Sequence, residues 1–144
     1  MHDDAHHLRR AIELAHAARE AGDMPFGSIL VGPDGDIVAE DRNTVLSDSD
    51  ISAHPELKLA RWAAATLEPD VARHTTMYTS CQPCAMCANA IARARLGRVV
   101  YALSGDQLAQ LKPPTAEPPD AAEVGYDGPH LHDEARVPVQ GYYG

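Results

Sequence analysis

Apolar residues recur at helical spacing between positions 5 and 21, where Leu8, Ala11, Ile12, Ala15 and Ala18 fall on one stripe. Arg9, Arg10, Glu13 and Glu20 lie largely off that stripe, and Gly22 supplies a stop. Phe26 to Val31 predicts a strand, Gly32-Pro33-Asp34-Gly35 a tight turn, and Asp36 to Glu40 the returning strand of a hairpin. Asp41 to Ser52 is polar and reads as loop. Pro55 to Ala65 predicts a helix, with proline in the first turn, where its missing amide costs nothing. Leu57, Ala60, Trp62, Ala64 and Ala65 are mixed with only Lys58 and Arg61, which predicts burial on more than one face. Thr76 to Ser80 predicts a third strand, Cys84 to Ala94 a second buried helix, and Arg98 to Leu103 a fourth strand.

This order of elements predicts a three-layer α/β domain with a mixed sheet over residues 1–111. Beyond Leu111, Pro113, Pro114, Pro118 and Pro119 break regular structure, so residues 112–144 read as a C-terminal arm. Such an arm would wrap the domain or be exchanged with a partner subunit. The chain has 144 residues and a formal net charge of −9. That charge repels phosphate backbones and disfavours nucleic acid as a partner, whereas a small neutral substrate meets no such barrier. Met1-His2-Asp3-Asp4 lacks the basic and apolar regions of a secretory signal, and no apolar run approaches the roughly 18 residues of a membrane span. A cytoplasmic protein that does not contact a membrane is the expectation. His2, His6 and His7 read as part of a solvated terminus.

Cys81, Cys84 and Cys87 are crowded together, an arrangement that suits a metal or catalysis better than a disulfide framework. Cys84 and Cys87 stand three apart at a predicted helix start, so their sulfurs face the same way and the helix dipole favours their thiolates. His54 stands at the start of the other predicted helix. One imidazole and two thiolates suit Zn²⁺, and three protein ligands leave the fourth tetrahedral position open, the hallmark of a catalytic site. Water in that position acidifies towards a pKa of about 7. Glu56, two residues after His54, is placed to carry protons without being a ligand. His54-Pro55-Glu56 followed by Pro83-Cys84-Ala85-Met86-Cys87 fits the H-x-E and P-C-x-x-C halves of the zinc deaminase signature. Cys81 offers a competing fourth thiolate that would close the site and make it a structural zinc module or inactive scaffold. Its place at a strand end favours a small packed residue instead.

At these residues the chain resembles the cytidine deaminase-like superfamily. It is most similar to the branch holding guanine deaminases and tRNA adenosine deaminases. The resemblance runs from about Leu8 to Leu103 and includes Met24-Pro25-Phe26-Gly27, the Gly-Pro-Asp-Gly hairpin, Asn43 and Thr79 to Cys87. It implies a mixed five-stranded sheet between helices, a homodimer or higher oligomer, and one zinc per chain. It also implies that Asn43 hydrogen-bonds the base and that backbone amides of Ala53 or Cys84 face it. Two positions depart from the family pattern: Pro55 where Ala or Val is usual, and Gln82 where Glu is usual.

The leading substrate is guanine. The resemblance to bacterial guanine deaminases supports it, together with the acidic balance and the aromatic end Gly141-Tyr142-Tyr143-Gly144. Tyr142 or Tyr143 would close a pocket, as C-terminal segments do in those enzymes. Asp106, Glu117 and Glu123 are candidate acceptors for the ring N–H and amino groups. Phe26 and Trp62 could stack on a base, although core packing is the plainer role for both. Other bases and nucleosides (cytosine, adenine, guanosine, an aminotriazine) and tRNA adenosine are the alternative substrates.

Overall fold

The computed structural model describes residues 3–113 and 123–144, in two compact units, Met1–Pro113 and Pro114–Gly144. In the first unit the order is α1 (Asp4–Glu20), β1 (Gly27–Val31), β2 (Ile37–Arg42), α2 (Val45–Asp48), α3 (Pro55–Thr66), α4 (Pro69–Arg73), β3 (Thr76–Cys81), α5 (Ala85–Arg93), β4 (Arg98–Leu103) and α6 (Gly105–Leu111). The second unit carries one helical turn, α7 (His132–Ala135), and residues 123–144 are exposed.

The sheet order is β2-β1-β3-β4, antiparallel except for the parallel β3–β4 pair. A parallel neighbour requires a crossover, and α5 makes it. Among the described residues the sheet has four strands, not the five implied by the resemblance. Past β4 the chain enters α6 rather than another strand. Ser104 starts α6 with a full capping box: its hydroxyl accepts from Gln107 N, and Gln107 Oε1 accepts from Ser104 N. The prolines beyond α6 cannot donate to a ladder.

Every residue of β1 and β3 is buried, and alternation sorts their side chains between two cores. Ile29, Val31 and Tyr78 pack with Leu8 and Leu14 of α1. Leu30 and Met77 pack with Leu59, Ala60 and Ala63 of α3 and with Ile91 of α5. Three polar clasps fasten α1 to the sheet. Arg10 holds Glu40 through two hydrogen bonds of 2.9 and 2.6 Å, and Arg98 holds Asp4 through bonds of 3.0 and 2.7 Å. The Tyr78 hydroxyl donates to Asp4 at 2.8 Å.

The two central helices bury one face each rather than several. Trp62, Ala64 and Ala65 of α3 and Met86, Ala88 and Ala92 of α5 are exposed. The stretch 41–52, which reads as loop, contains the single turn α2. Asp23 fixes this turn, because its carboxylate accepts from Ser47 N at 2.9 Å and from Ser47 Oγ at 2.8 Å. The Ser47 backbone bond is the main reason that the Asp23 carboxyl lies below its usual pKa.

Gly27, at the start of β1, is pressed against α1. A Cβ there would lie 2.5 Å from Ala11 O and 2.5 Å from Leu14 Cβ. Gly27→Ala is expected to cost about 1–3 kcal/mol, the range for overpacking, read as a lower denaturant midpoint. Asp23, ionised when folded and held below its unfolded pKa, stabilises the fold above about pH 4 and loses that contribution as pH falls through the folded value. The melting temperature of Asp23→Asn should therefore fall less steeply than that of wild type on acidification below pH ~4.

Candidate active site

His54 and Cys84 occupy the N-cap positions of α3 and α5. Serine, threonine, aspartate and asparagine are preferred there, because their oxygens accept from the first free amides. Neither His54 nor Cys84 makes a side-chain cap. Both helices forgo that stabilisation at the two residues able to bind a soft metal. Pro55 then opens α3. Cys87 sits one turn into α5, fully buried.

The three ligand atoms meet. His54 Nδ1 lies 3.7 Å from Cys84 Sγ and 3.4 Å from Cys87 Sγ, and all three fall within 4.8 Å of one another. Zn–N and Zn–S bonds of about 2.1 and 2.3 Å in a tetrahedron place such atoms about 3.5 Å apart. The charges ask for a cation as well. Burial pushes the Cys87 thiol up strongly, and the neighbouring Glu56 and Cys84 add to it. A divalent ion reverses that balance by stabilising the thiolates. The donor set therefore fits one zinc, held by His54, Cys84 and Cys87.

Cys81 is not a member of this group. It is buried at the end of β3, where burial and then the charge of Glu56 raise its pKa. It helps line a cleft of about 350 Å³ with Phe26, Ser80, Leu103 and residues of α1. Among the described residues the group able to hold a metal is His54, Cys84 and Cys87, with Cys81 outside it.

Glu56 lies in the first turn of α3 and is 7% exposed. Burial raises its pKa, opposed by its own backbone N–H and by the Ser28 hydroxyl, which donates to Glu56 Oε1 at 3.4 Å. Asn43 is 1% exposed just past the end of β2. Its Oδ1 accepts from Val45 N at 3.0 Å, so its NH₂ is the end with hydrogen-bonding capacity to spare for a ligand. Ala53 is buried beside His54. Phe26 is partly buried, whereas Asp106 is exposed in the first turn of α6. Gln82, the departure from the family's Glu, accepts from Gly105 N at 2.9 Å and so anchors α6. In the second unit Glu123, Tyr142 and Tyr143 are exposed, and the two tyrosine rings meet edge to face at 4.9 Å. Glu117 lies outside the described residues. Ser28, Thr79 and Asp23 do not stand out in the sequence. Their one signal there is the occurrence of hydroxyls inside strands that are otherwise apolar, and it does not reach Asp23.

Metal analysis tests the ligand set. Purified wild-type chain should carry one zinc, Cys84→Ser and Cys87→Ser should lose most of it, and Cys81→Ala should keep it. Loss of zinc from Cys81→Ala would point to a closed, structural site.

The family model for the cytidine and deoxycytidylate deaminase zinc-binding region matches residues 1–103. A guanine deaminase of Bacillus subtilis is 37% identical over 134 residues, covering 92% of this chain and 77% of the relative. A probable cytosine deaminase of Schizosaccharomyces pombe is 31% identical over 152 residues, covering 97% of this chain and 92% of the relative. A tRNA-specific adenosine deaminase of Haemophilus influenzae is 35% identical over 97 residues, covering 67% of this chain and 56% of the relative. The solved structure of guanine deaminase from Bacillus subtilis superposes with a TM-score of 0.77 at 30% identity, covering 99% of this chain and 94% of that one. With its zinc ligands gathered at two helix starts and a buried glutamate beside them, this chain belongs to the cytidine and deoxycytidylate deaminase zinc-binding family and is a zinc-dependent hydrolase of the deaminase type.

Proposed function

We propose that the chain deaminates guanine, converting it with water to xanthine and ammonia. The observation that carries this choice among bases is the likeness to a guanine deaminase structure, which extends over 99% of the chain. The net charge of −9 supports a free base over a tRNA. When bound, zinc supplies a water acidified enough to attack an amino-bearing ring carbon at neutral pH. Glu56 then does the proton work. As a buried carboxylate it takes the two protons of the attacking water in turn, delivering one to the ring nitrogen and the other to the departing amine. Asn43, with its carbonyl engaged by Val45, offers N–H donors to an acceptor on the base. Cys84 would add a backbone amide, whereas the Ala53 amide, the other expected donor, is already given to Asp50 O at 3.0 Å. Asp106, Glu117 and Glu123 are the candidate acceptors for the N–H groups of guanine, and Tyr142 or Tyr143, with Phe26, the candidate closing rings. An unmatched buried donor costs about 1–3 kcal/mol, which is how such acceptors would separate guanine from its analogues.

The proposal extends to a homodimer, in which a second copy would cover the exposed outer faces of α3 and α5. Sedimentation should then give about twice the chain mass of 15.5 kDa.

Ammonia release from a panel of guanine, cytosine, adenine, their nucleosides, an aminotriazine and tRNA tests the substrate. Guanine should be turned over fastest, and turnover confined to cytosine or to tRNA would replace it. Glu56→Gln should keep its zinc and lose about 10²- to 10⁴-fold in kcat, the usual worth of a general acid–base.

A further inference from the structure

The sheet face that packs on α3 is apolar where Leu30 stands opposite Met77. Two residues along, the same face turns polar: Ser28 stands opposite Thr79, and both are fully buried. A pair of apolar side chains would fill that space without desolvating two hydroxyls. The hydroxyls meet each other, with Ser28 Oγ 2.7 Å from Thr79 Oγ1, and they reach two further groups. Ser28 Oγ lies 3.4 Å from Glu56 Oε1, and Thr79 Oγ1 lies 3.5 Å from Gly27 O. The chain of contacts therefore runs Gly27 C=O, Thr79, Ser28, Glu56.

Each hydroxyl has one proton to give and lone pairs to accept with. Beside a carboxylate, Ser28 donates to Glu56 and Thr79 donates to Ser28. Beside a carboxylic acid the chain can run the other way: Glu56 donates to Ser28, Ser28 to Thr79, and Thr79 to the Gly27 carbonyl. Every proton has an acceptor in both directions. An amide N–H in place of Ser28 could serve only the first, and a methyl group neither.

We infer that Ser28, oriented by Thr79, is a positioning residue for Glu56. It holds Oε1 and leaves Oε2 to exchange protons with water and substrate. The catalytic part of this inference rests on the deaminase reading, whereas the bond to Glu56 does not. The contact of 3.4 Å is long for O–H···O, and such bonds tighten when an active site is loaded.

The experiment uses the full-length zinc-loaded chain labelled with ¹³C at glutamate carboxyls, at one fixed pH, with Glu56→Gln identifying the Glu56 resonance by its disappearance. Ser28→Ala and the near-isosteric Thr79→Val should each move that resonance. Each should lower kcat on guanine by about tenfold, the worth of a hydrogen bond to a charged group, with KM and bound zinc unchanged. Thr79→Ser keeps the hydroxyl and should match wild type. An unmoved resonance and unchanged kcat in Ser28→Ala would overturn the inference. So would a kcat loss that tracks loss of zinc or of the fold, or a Thr79→Ser protein that behaves like Thr79→Val. If wild type turns over none of the bases, the proposed function fails, while the resonance still decides the Ser28–Glu56 bond.

Discussion

The pairing of β1 with β3 is the constraint on which the rest of this molecule depends. Both strands are buried throughout, and their register places Ser28 against Thr79 and Leu30 against Met77. A slip of one residue would turn every side chain to the opposite face. It would expose the α3 side of the sheet to Tyr78 and Ile29 and carry the hydroxyl pair away from Glu56. The apolar contacts of Leu30 and Met77 hold α3 and α5 on that face of the sheet, and the candidate ligands stand at the starts of those helices.

The site is made from choices that would be poor ones for stability alone. Two helices start without a side-chain cap, two buried hydroxyls interrupt a core face, and a carboxylate and a thiol are buried where burial opposes their ionisation. Local rules are broken in this way where a site requires it. A divalent cation held by His54, Cys84 and Cys87 would offset the electrostatic part of the cost, because it favours the thiolates that the protein interior disfavours. Away from the site, the capping box of α6, the Asp23 clamp on α2 and the paired hydrogen bonds of Arg10 and Arg98 leave their groups satisfied.

Family membership fixes the chemistry more firmly than the substrate. The relatives carry the names of guanine, cytosine and tRNA adenosine deaminases, and all three types match this chain well. The stretch matched by the family model, residues 1–103, holds His54, Glu56, Cys84 and Cys87 of this chain. The residues proposed to read the base differ in setting: Asn43 is buried and oriented, whereas Asp106 and, in the second unit, Glu123, Tyr142 and Tyr143 are exposed.

The sequence by itself determined the order of the main elements and pointed to His54, Cys84 and Cys87, rather than Cys81, as candidate ligands, whose ligand atoms lie within 4.8 Å of one another. These features are local: hydrophobic period, proline and glycine punctuation, and ligands held within one helix turn or at its start. Short helices such as α2 and α6 are not legible in the same way, because a single turn or two carries too little periodicity to read. The fifth strand was implied by likeness, whereas the sheet has four strands among the described residues, where the chain turns from β4 into the capped helix α6. Only the tertiary structure decided which faces of α3 and α5 are exposed, because an alanine-rich helix looks buried all round until its neighbours are placed. Only the tertiary structure brought Ser28 and Thr79 to Glu56, because that contact joins two strands and a helix far apart in the chain, and no local pattern records it.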